Sequence, residues 1–225
     1  LFGREVSLLM FADGENFALM PPVRDHKRIG DGDTGPNTGG MGTVTDAAIL
    51  PGDEIDDIVH TIIEPTLSGC IEDGFPFRGI LFLGLMMTTS GPMLLEYNVR
   101  FGDPETQAIL VRLETDLVDI CEAMLNGTLS SLDIEWRQGS SACVVLASEG
   151  YPSKTRIGDV ITGLDRVTGV EVFHAGTSEP PASVGGQLLK SDSTNWPSAN
   201  AEGSDFITSG GRVLGVTATG RDLKT

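Results

Sequence analysis

Three polar side chains occupy alternate positions of an otherwise apolar segment, Leu94 to Arg100. Side chains of a β-strand alternate between its two faces, so Glu96, Asn98 and Arg100 are expected to project together. Carboxylate and amide oxygens suit a hard cation such as magnesium, and a guanidinium suits a phosphate or a carboxylate. A metal site beside an anion clamp is the equipment of phosphoryl transfer. The same alternation is typical of a half-exposed strand with a polar solvent face, so the pattern alone leaves both interpretations open.

The residues after this strand predict the start of a helix. Asp103 has the chemistry of an N-cap, and Pro104 fits the first helical turn. Apolar residues at helical spacing predict one helix that reaches Asn126 and Gly127: Ile109, Leu110, Leu113, Leu117, Ile120, Cys121 and Met124. A helix N-terminus next to a polar strand face is an anion site, although Asp103 and Glu105 also suit the helix dipole by themselves.

A second candidate site is the segment from Asp33 to Gly42, in which five of the ten positions are Gly or Pro. This composition predicts an irregular loop with positive φ angles, and such loops form anion-binding nests from backbone N–H groups. A flexible surface linker is the alternative, but linkers are richer in Ser and lack a flanking cluster such as Asp25-His26-Lys27-Arg28. The segment is not a Walker A loop, because no Gly-Lys-Ser/Thr follows.

Composition limits the classes of function. The 225 residues suffice for one large or two small domains, and the formal net charge of -17 argues against sequence-independent nucleic-acid binding, which needs a basic surface. No apolar stretch is long enough to cross a membrane. Cys70, Cys121 and Cys143 are widely spaced in apolar patterns and predict buried thiols in a reducing compartment, the cytoplasm. The start at Leu1, without an initiator Met or a signal peptide, indicates an internal fragment.

The remaining pattern predicts an α+β fold. Residues 6–12 and 17–20 read as the strands of a hairpin, and residues 79–87 as a central strand buried on both faces and antiparallel to the Glu96 strand. Residues 51–71 predict a helix that Pro65 kinks or divides.

Three short strands separated by Gly- and Pro-rich turns predict a second, β-rich unit: residues 142–147, 170–173 and 213–217. We therefore expect two domains, residues 1–130 and residues 131–225. Residues 178–209, rich in Ser, Pro, Gly, Ala and Asn, are expected to be an inserted surface loop.

Several motifs resemble those of the phosphoribosylamine–glycine ligase (glycinamide ribonucleotide synthetase) family of the ATP-grasp superfamily. The resemblance rests on Arg100-Phe101-Gly102-Asp103-Pro104-Glu105 and on Asp25-His26-Lys27-Arg28 followed by Asp33 to Gly42. Further blocks occur in family order over nearly the whole chain: residues 79–82, 84–86, 150–152, 172–177 and 210–214. The resemblance implies that residues 1–130 are the second half of an ATP-grasp domain, an antiparallel sheet with helices. Residues 131–225 would be a small, incomplete C-terminal domain.

The resemblance implies an ATP-dependent carbon–nitrogen ligase of de novo purine biosynthesis. Members join glycine to 5-phosphoribosylamine, giving glycinamide ribonucleotide. ATP, the co-substrate, phosphorylates the glycine carboxylate, and the amine attacks the glycyl phosphate, which a closing clamp shields from water. The implied metal is Mg²⁺ or Mn²⁺, and the implied partners are these small molecules, without nucleic acid or membrane. Whether the parent protein is monofunctional or fused to another purine-synthesis enzyme stays open.

The resemblance also assigns roles to residues. Glu96 and Asn98 match the metal-binding pair, and the catalytic candidates are Arg100 and Asp103. The candidates for nucleotide binding are Glu5, Lys27 and Arg28, and those for substrate binding are Thr38, Gly39, Gly40 and Arg100. Val99 stands where many members carry Cys, and we expect it on the core-facing side of its strand.

Two other functions are compatible with these residues. One is a different ATP-grasp carboxylate–amine ligase of purine synthesis, with the same metal pair and another acceptor; the blocks 100–107 and 33–42 favour the first assignment. The other is a non-catalytic ribotide- or nucleotide-binding module, against which the retained Glu96, Asn98 and Arg100 argue. In the family, the residues that hold adenine lie upstream of the region matched here, so the isolated chain is expected to have little activity.

Overall fold

The computed structural model describes residues 1–180 and 206–223, which form an α+β fold. The chain divides into two compact units, one made of residues 1–144 and the chain from Thr217 onward, the other of residues 145–216. Within the described residues, no helix combines the length and the apolar character that a membrane span requires.

Two long antiparallel strands form the centre of the first unit. Strand β1 (Arg4–Asp13) pairs with β7 (Arg78–Thr88) along its whole length. Strand β2 (Phe17–Leu19) pairs with β1, and β8 (Gly91–Asn98) pairs with β7. The expected hairpin, the central strand buried on both faces and the antiparallel Glu96 strand are therefore confirmed.

The sheet of the first unit continues through three further strands. In the order β9-β6-β3-β1-β7-β8, the additional strands are β3 (Val23–Asp25), β6 (Gly42–Thr45) and β9 (Ser140–Ala147). Strands β4 (Arg28–Gly30) and β5 (Thr34–Asn37) form a separate antiparallel ribbon.

The expectation that residues 33–42 contain no regular element is wrong for residues 34–37, which form β5. This exposed two-stranded ribbon accommodates Gly35 and Pro36, because an edge strand needs only part of its hydrogen-bonding ladder. The predicted positive φ angles are confirmed at Gly35 and Gly40.

One face of the sheet is covered by a helical segment that changes its winding. Helix α1 (Gly52–Ile58) continues through a π-helical turn, Val59–Ile63, into α2 (Glu64–Glu72). Pro65 lies in the first turn of α2, where its missing N–H group matters least. The backbone stays helical from Gly52 to Glu72, so Pro65 does not divide the segment; the irregularity is the π-helical turn that directly precedes α2. Ile58 and Ile63 pack with β1 and β7 residues in one buried core cluster.

The opposite face is covered by two helices where the sequence predicted one. These are α3 (Glu105–Leu110) and α4 (Leu117–Asn126), which pack against Leu9 and Phe11 of β1. Gly127 ends α4 with a left-handed φ of 68°, so the helix end predicted from this glycine is confirmed.

Tertiary hydrogen bonds explain the break between α3 and α4. The Arg112 carbonyl accepts from Arg137 N at 2.7 Å, and Glu114 N donates to the Glu135 carbonyl at 3.0 Å. Asp116 then caps α4 by accepting a hydrogen bond from the backbone of the second helical residue. The apolar spacing continued across the break because Leu110, Leu113 and Leu117 all pack against the same core cluster.

The second unit contains short strands, as expected. They are β10 (Glu171–His174), β11 (Thr177–Ser178), β12 (Ile207–Thr208) and the last strand β13 (Arg212–Gly220), which ends in the first unit. Strand β11 pairs with β12, so the two ends of the expected loop 178–209 are joined, whereas residues 181–205 lie outside the described residues.

The compact units differ from the expected boundary near Ser131. Residues 131–144 lie in the first unit, because β9 pairs with β6 there and Arg137 bonds to Arg112. The division into domains 1–130 and 131–225 stays a prediction. The expectation of three buried thiols holds for Cys143, while Cys70 is half-buried and Cys121 is exposed on α4.

Candidate functional site

Strand β8 delivers its polar residues to one point at its C-terminal end. Asn98 Nδ2 donates to Glu96 Oε1 at 3.2 Å, and Arg100 Nη2 donates to Asn98 Oδ1 at 3.3 Å. Arg100 lies two residues beyond the strand, and its Nη1 also donates to the Phe101 carbonyl at 2.9 Å. The alternation along the strand therefore brings an acid, an amide and a guanidinium together.

The alternate face of β8 is not a buried face. Leu95 and Tyr97 are 43% and 40% exposed, and Val99 is 72% exposed, so its expected core-facing position is wrong. β8 lies at the end of the sheet, and its register shifts where it passes Gly84 and Leu85 of β7. An end strand has only one neighbouring strand, which the sequence pattern could not reveal.

Lys27 joins the Glu96 region to strand β1. Its Nζ forms an ion pair with Glu5. Burial alone would lower the Lys27 pKa, but the hydrogen bond and charge of Glu5, together with the charges of Asp25 and Glu96, raise it above its usual value. Lys27 therefore carries its positive charge beside Glu5, within electrostatic range of Asp25 and Glu96.

The Thr38–Gly40 turn is tied to the Lys27 backbone. Thr38 donates to the Lys27 carbonyl through both its backbone N and its Oγ1, at 2.7 Å each, and Gly40 N donates to Thr38 Oγ1 at 3.0 Å. Gly40 has a φ of 107°, and a Cβ there would lie 2.6 Å from Pro104 Cδ. Only glycine fits this conformation and this spacing, so the turn lies against the segment that follows the Glu96 strand.

Arg28 and Asp103 are held by local contacts. Arg28 Nη1 donates to the Gly35 carbonyl at 3.3 Å, and its Nε lies 4.0 Å from Asp33 Oδ1, so its guanidinium is directed along the β4–β5 ribbon. Asp103 does not cap α3, whose N-cap is Pro104; its Oδ1 accepts from Gln107 Nε2 at 2.9 Å instead.

An open cleft of about 530 Å³ lies beside Lys27. It is lined by Gly3, Arg4, Glu5, Arg24, Asp25, His26, Lys27, Arg28, Asp33, Asn37 and Met86. Four basic residues line it together with three acidic ones, Glu5, Asp25 and Asp33, so the formal charge of its lining is 4 − 3 = +1, in contrast to the strongly negative molecule as a whole. Sequence reasoning missed Arg4 and Arg24, and only the position of Arg24 next to the Asp25 cluster could have drawn attention to it.

Glu105 is a further residue whose character the sequence did not reveal. It begins α3 and is only 5% exposed. Burial raises its pKa to about 7, and the charges of Asp25 and Asp103 raise it as well, against the opposing effects of its own backbone N–H and of Lys27. Its position in the first helical turn suggested only a partner of the helix dipole.

The Glu96–Asn98 pair fits a hard divalent cation by its chemistry. Glu96 supplies a carboxylate and Asn98 an amide oxygen; in this structure the Asn98 amide nitrogen faces Glu96 Oε1, and the amide oxygen accepts from Arg100 Nη2. Magnesium is commonly held by one or two oxygen ligands of these types together with water. In the described part of the chain, no group of three or more His, Cys, Asp and Glu side chains could hold a metal ion.

Comparison with known proteins gives a consistent family. Residues 1–106 match Phosphoribosylglycinamide synthetase, ATP-grasp (A) domain, and residues 141–225 match Phosphoribosylglycinamide synthetase, C domain. The phosphoribosylamine–glycine ligase of Vigna unguiculata is 43% identical over 230 residues, covering the whole chain and 67% of that protein. The trifunctional purine biosynthetic protein adenosine-3 of Gallus gallus is 45% identical, over the whole chain and 20% of that protein.

A solved structure agrees with these sequence relatives. The crystal structure of the phosphoribosylamine–glycine ligase of Thermotoga maritima matches with a TM-score of 0.79 and 35% identity, over the whole chain and 50% of that structure. The chain spans about half the length of most of the curated relatives it matches. It belongs to the phosphoribosylamine–glycine ligase family of the ATP-grasp superfamily.

Proposed function

We propose that this chain forms part of an enzyme that uses ATP to join glycine to 5-phosphoribosylamine in de novo purine biosynthesis. The observation that carries the proposal is the convergence of Glu96, Asn98 and Arg100 at the end of β8, in a chain of this family. The cleft with four basic residues supports the binding of anionic substrates.

The first step is transfer of a phosphoryl group. A glycine carboxylate oxygen attacks the terminal phosphorus of ATP, and ADP leaves with the electrons of the broken bond. Mg²⁺ or Mn²⁺ held by Glu96 and Asn98 would neutralise the charge of the phosphates. Arg100 is positioned to hold the acyl or phosphoryl oxygens through its guanidinium, and Asp103 is the second catalytic candidate.

The second step forms the carbon–nitrogen bond. The amine of phosphoribosylamine attacks the carbonyl carbon of glycyl phosphate, and inorganic phosphate leaves. Lys27 and Glu5 form a fixed ion pair at the wall of the cleft, and with Arg28 they are proposed to contact the nucleotide. Thr38, Gly39 and Gly40 are proposed to contact a substrate, since the turn lies against Pro104, which follows Arg100 closely in the chain.

The setting of the enzyme is also part of the proposal. The chicken relative is a trifunctional purine biosynthetic protein, so fusion to other purine-synthesis enzymes occurs among relatives. Three free thiols support a reducing compartment, which we propose to be the cytoplasm.

The test is Glu96→Ala in a full-length ligase that contains this sequence. We expect metal-dependent turnover to fall by about 10²-fold or more, since a bound metal stabilises transition-state charge by several kcal/mol. The thermal unfolding temperature should change little, because Glu96 is exposed. Glu122→Ala, on the exposed side of α4, is the matched control and should keep full turnover. Normal activity of Glu96→Ala would refute the metal assignment.

A further inference from the structure

Gln107 of α3 contacts a catalytic candidate, and neither proposed step gives it a role. Its Nε2 donates to Asp103 Oδ1 at 2.9 Å. Its Oε1 is buried, and no described residue donates a hydrogen bond to that atom. A Gln–Asp pair at this helical spacing contributes less to stability than a buried acceptor without a partner costs. An apolar side chain of the same length would avoid this cost, so stability alone does not account for the amide.

The turn that joins Arg100 to Asp103 is held by contacts on both sides. The Phe101 ring stands edge-on against an aromatic ring of β1, with the ring centroids 6.5 Å apart. The Gly102 carbonyl accepts hydrogen bonds from the backbone N of Thr106 at 3.2 Å and from its Oγ1 at 2.5 Å. The backbone therefore fixes the spacing between the Arg100 and Asp103 positions.

Arg100 and Asp103 carry opposite charges at the two ends of this turn. The guanidinium is directed back onto the turn, because Nη1 donates to the Phe101 carbonyl at 2.9 Å while Nη2 donates to Asn98 Oδ1. Both charged side chains are exposed, so a ligand can reach them. A cation and an anion at a fixed spacing complement a zwitterion, and glycine is a carboxylate and an ammonium joined through one carbon.

We infer that glycine binds between Arg100 and Asp103, with its carboxylate on the guanidinium and its ammonium on the Asp103 carboxylate. Gln107 is a positioning residue, whose Nε2 fixes the direction of that carboxylate. The inference rests on the proposed function and adds to it the binding mode of the amino acid. It also accounts for an amide at a position where it lowers stability, since such costs are expected at functional sites.

The experiment compares Gln107→Met with the wild type in a full-length ligase. Methionine keeps the length of the side chain, cannot hold Asp103 and leaves no acceptor unpaired. We expect the KM for glycine to rise about 10-fold or more, the value of a hydrogen bond to a charged group. The kcat and the KM values for ATP and phosphoribosylamine should stay within about twofold, as for a loss of uniform binding. The urea midpoint of unfolding should equal or exceed that of the wild type.

Two further measurements separate positioning from a structural effect. Because Gln107 acts through Asp103, the double variant Asp103→Asn/Gln107→Met should bind glycine no more weakly than Asp103→Asn alone. Acetate has the carboxylate of glycine without the ammonium, so its inhibition constant against glycine should be the same for Gln107→Met and the wild type. Gln138→Met is the matched control, since Gln138 is exposed and donates only to the Trp136 carbonyl at 3.4 Å; it should match the wild type throughout.

Each outcome decides a different statement. A lower urea midpoint, a failure of Gln107→Met to fold, an unchanged KM for glycine or additive losses in the double variant would overturn the positioning role of Gln107. Weaker inhibition by acetate in Gln107→Met, or no inhibition of the wild type, would overturn the two-point binding of glycine. All of these results leave the proposed function standing, whereas a wild-type ligase without glycine-dependent ADP formation would overturn that function itself.

Discussion

At the scale of residues, two glutamates that lie close together in sequence, Glu96 and Glu105, differ in their burial. Glu96 is exposed at the end of β8, where a carboxylate can meet a cation and water, and Glu105 is 5% exposed at the start of α3. The pKa of Glu105 rises from 4.5 to about 7 because the charged form loses its hydration. Two residues of the same type therefore differ in exposure and acid–base properties because their surroundings differ.

The raised pKa of Glu105 makes a prediction about stability. The folded protein binds this proton more tightly than the unfolded chain does. The stabilisation is therefore fully present below about pH 4.5 and is lost as the pH rises through about 7. The shift corresponds to roughly 3 kcal/mol, so the free energy of unfolding of Glu105→Gln should improve relative to wild type by up to this amount between about pH 4 and pH 8.

The measurement is urea unfolding of both full-length proteins at several pH values. Glu122→Gln provides the control, since an exposed carboxylate should contribute no such trend. A difference between Glu105→Gln and wild type that is the same at all pH values would show that folding does not raise the pKa of Glu105.

At the scale of elements, the site depends on how the Thr38–Gly40 turn meets the start of α3. The turn hydrogen-bonds to the Lys27 backbone, and a Cβ at Gly40 would lie 2.6 Å from Pro104 Cδ. Strand β6 follows directly and fixes the Pro104 carbonyl through Thr43. A substitution at Gly40 should therefore alter the positions of both the cleft residues and the segment that contains Glu105.

Gly40→Ala tests this contact. The left-handed backbone should cost about 1–2 kcal/mol for any residue with a Cβ, and displacement of Pro104 should add to that loss and raise the KM for substrates. The matched control is Gly32→Ala, which also has a positive φ but no atom within 4 Å of the added Cβ. Unfolding and steady-state kinetics should show a larger effect for Gly40→Ala; equal effects would mean that the contact with Pro104 is unimportant.

At the scale of the whole molecule, the charge of the cleft lining differs from the net charge of the chain. The chain has a net charge of -17, yet Arg4, Arg24, Lys27 and Arg28 line one cleft. Local cations can hold an anionic substrate at short range, while the remaining surface charge favours solubility. The chain that contains this cleft spans about half the length of most of its relatives.

The isolated 225-residue chain is predicted to lack glycine-dependent ATP hydrolysis. Catalysis of this kind depends on positioning ATP, glycine and amine together, and half the length of the relatives supplies only part of that arrangement. Phosphate release with glycine and phosphoribosylamine should be measured for this chain and for a full-length ligase containing it. Robust turnover by the chain alone would show that these residues suffice to build the nucleotide site.

The sequence by itself determined the local features of the fold and the polar groups at the candidate site. Strand alternation predicted that Glu96, Asn98 and Arg100 meet, and turn chemistry predicted the β1–β2 hairpin. These features depend on residues close to one another in the chain, where side-chain direction and backbone preference are decisive. The motifs also identified the family, because their order extends along nearly the whole chain.

Features that depend on residues far away in the sequence were decided only by the tertiary structure. The break between α3 and α4 follows from hydrogen bonds to residues 135–137, and the exposure of Val99 follows from the position of β8 at the end of the sheet. The raised pKa of Glu105 requires burial beneath segments that are some 60 to 80 positions away in sequence, such as Asp25 and Thr43. Periodicity reports that a residue is apolar or polar, whereas hydration and electrostatic environment exist only once the chain has folded.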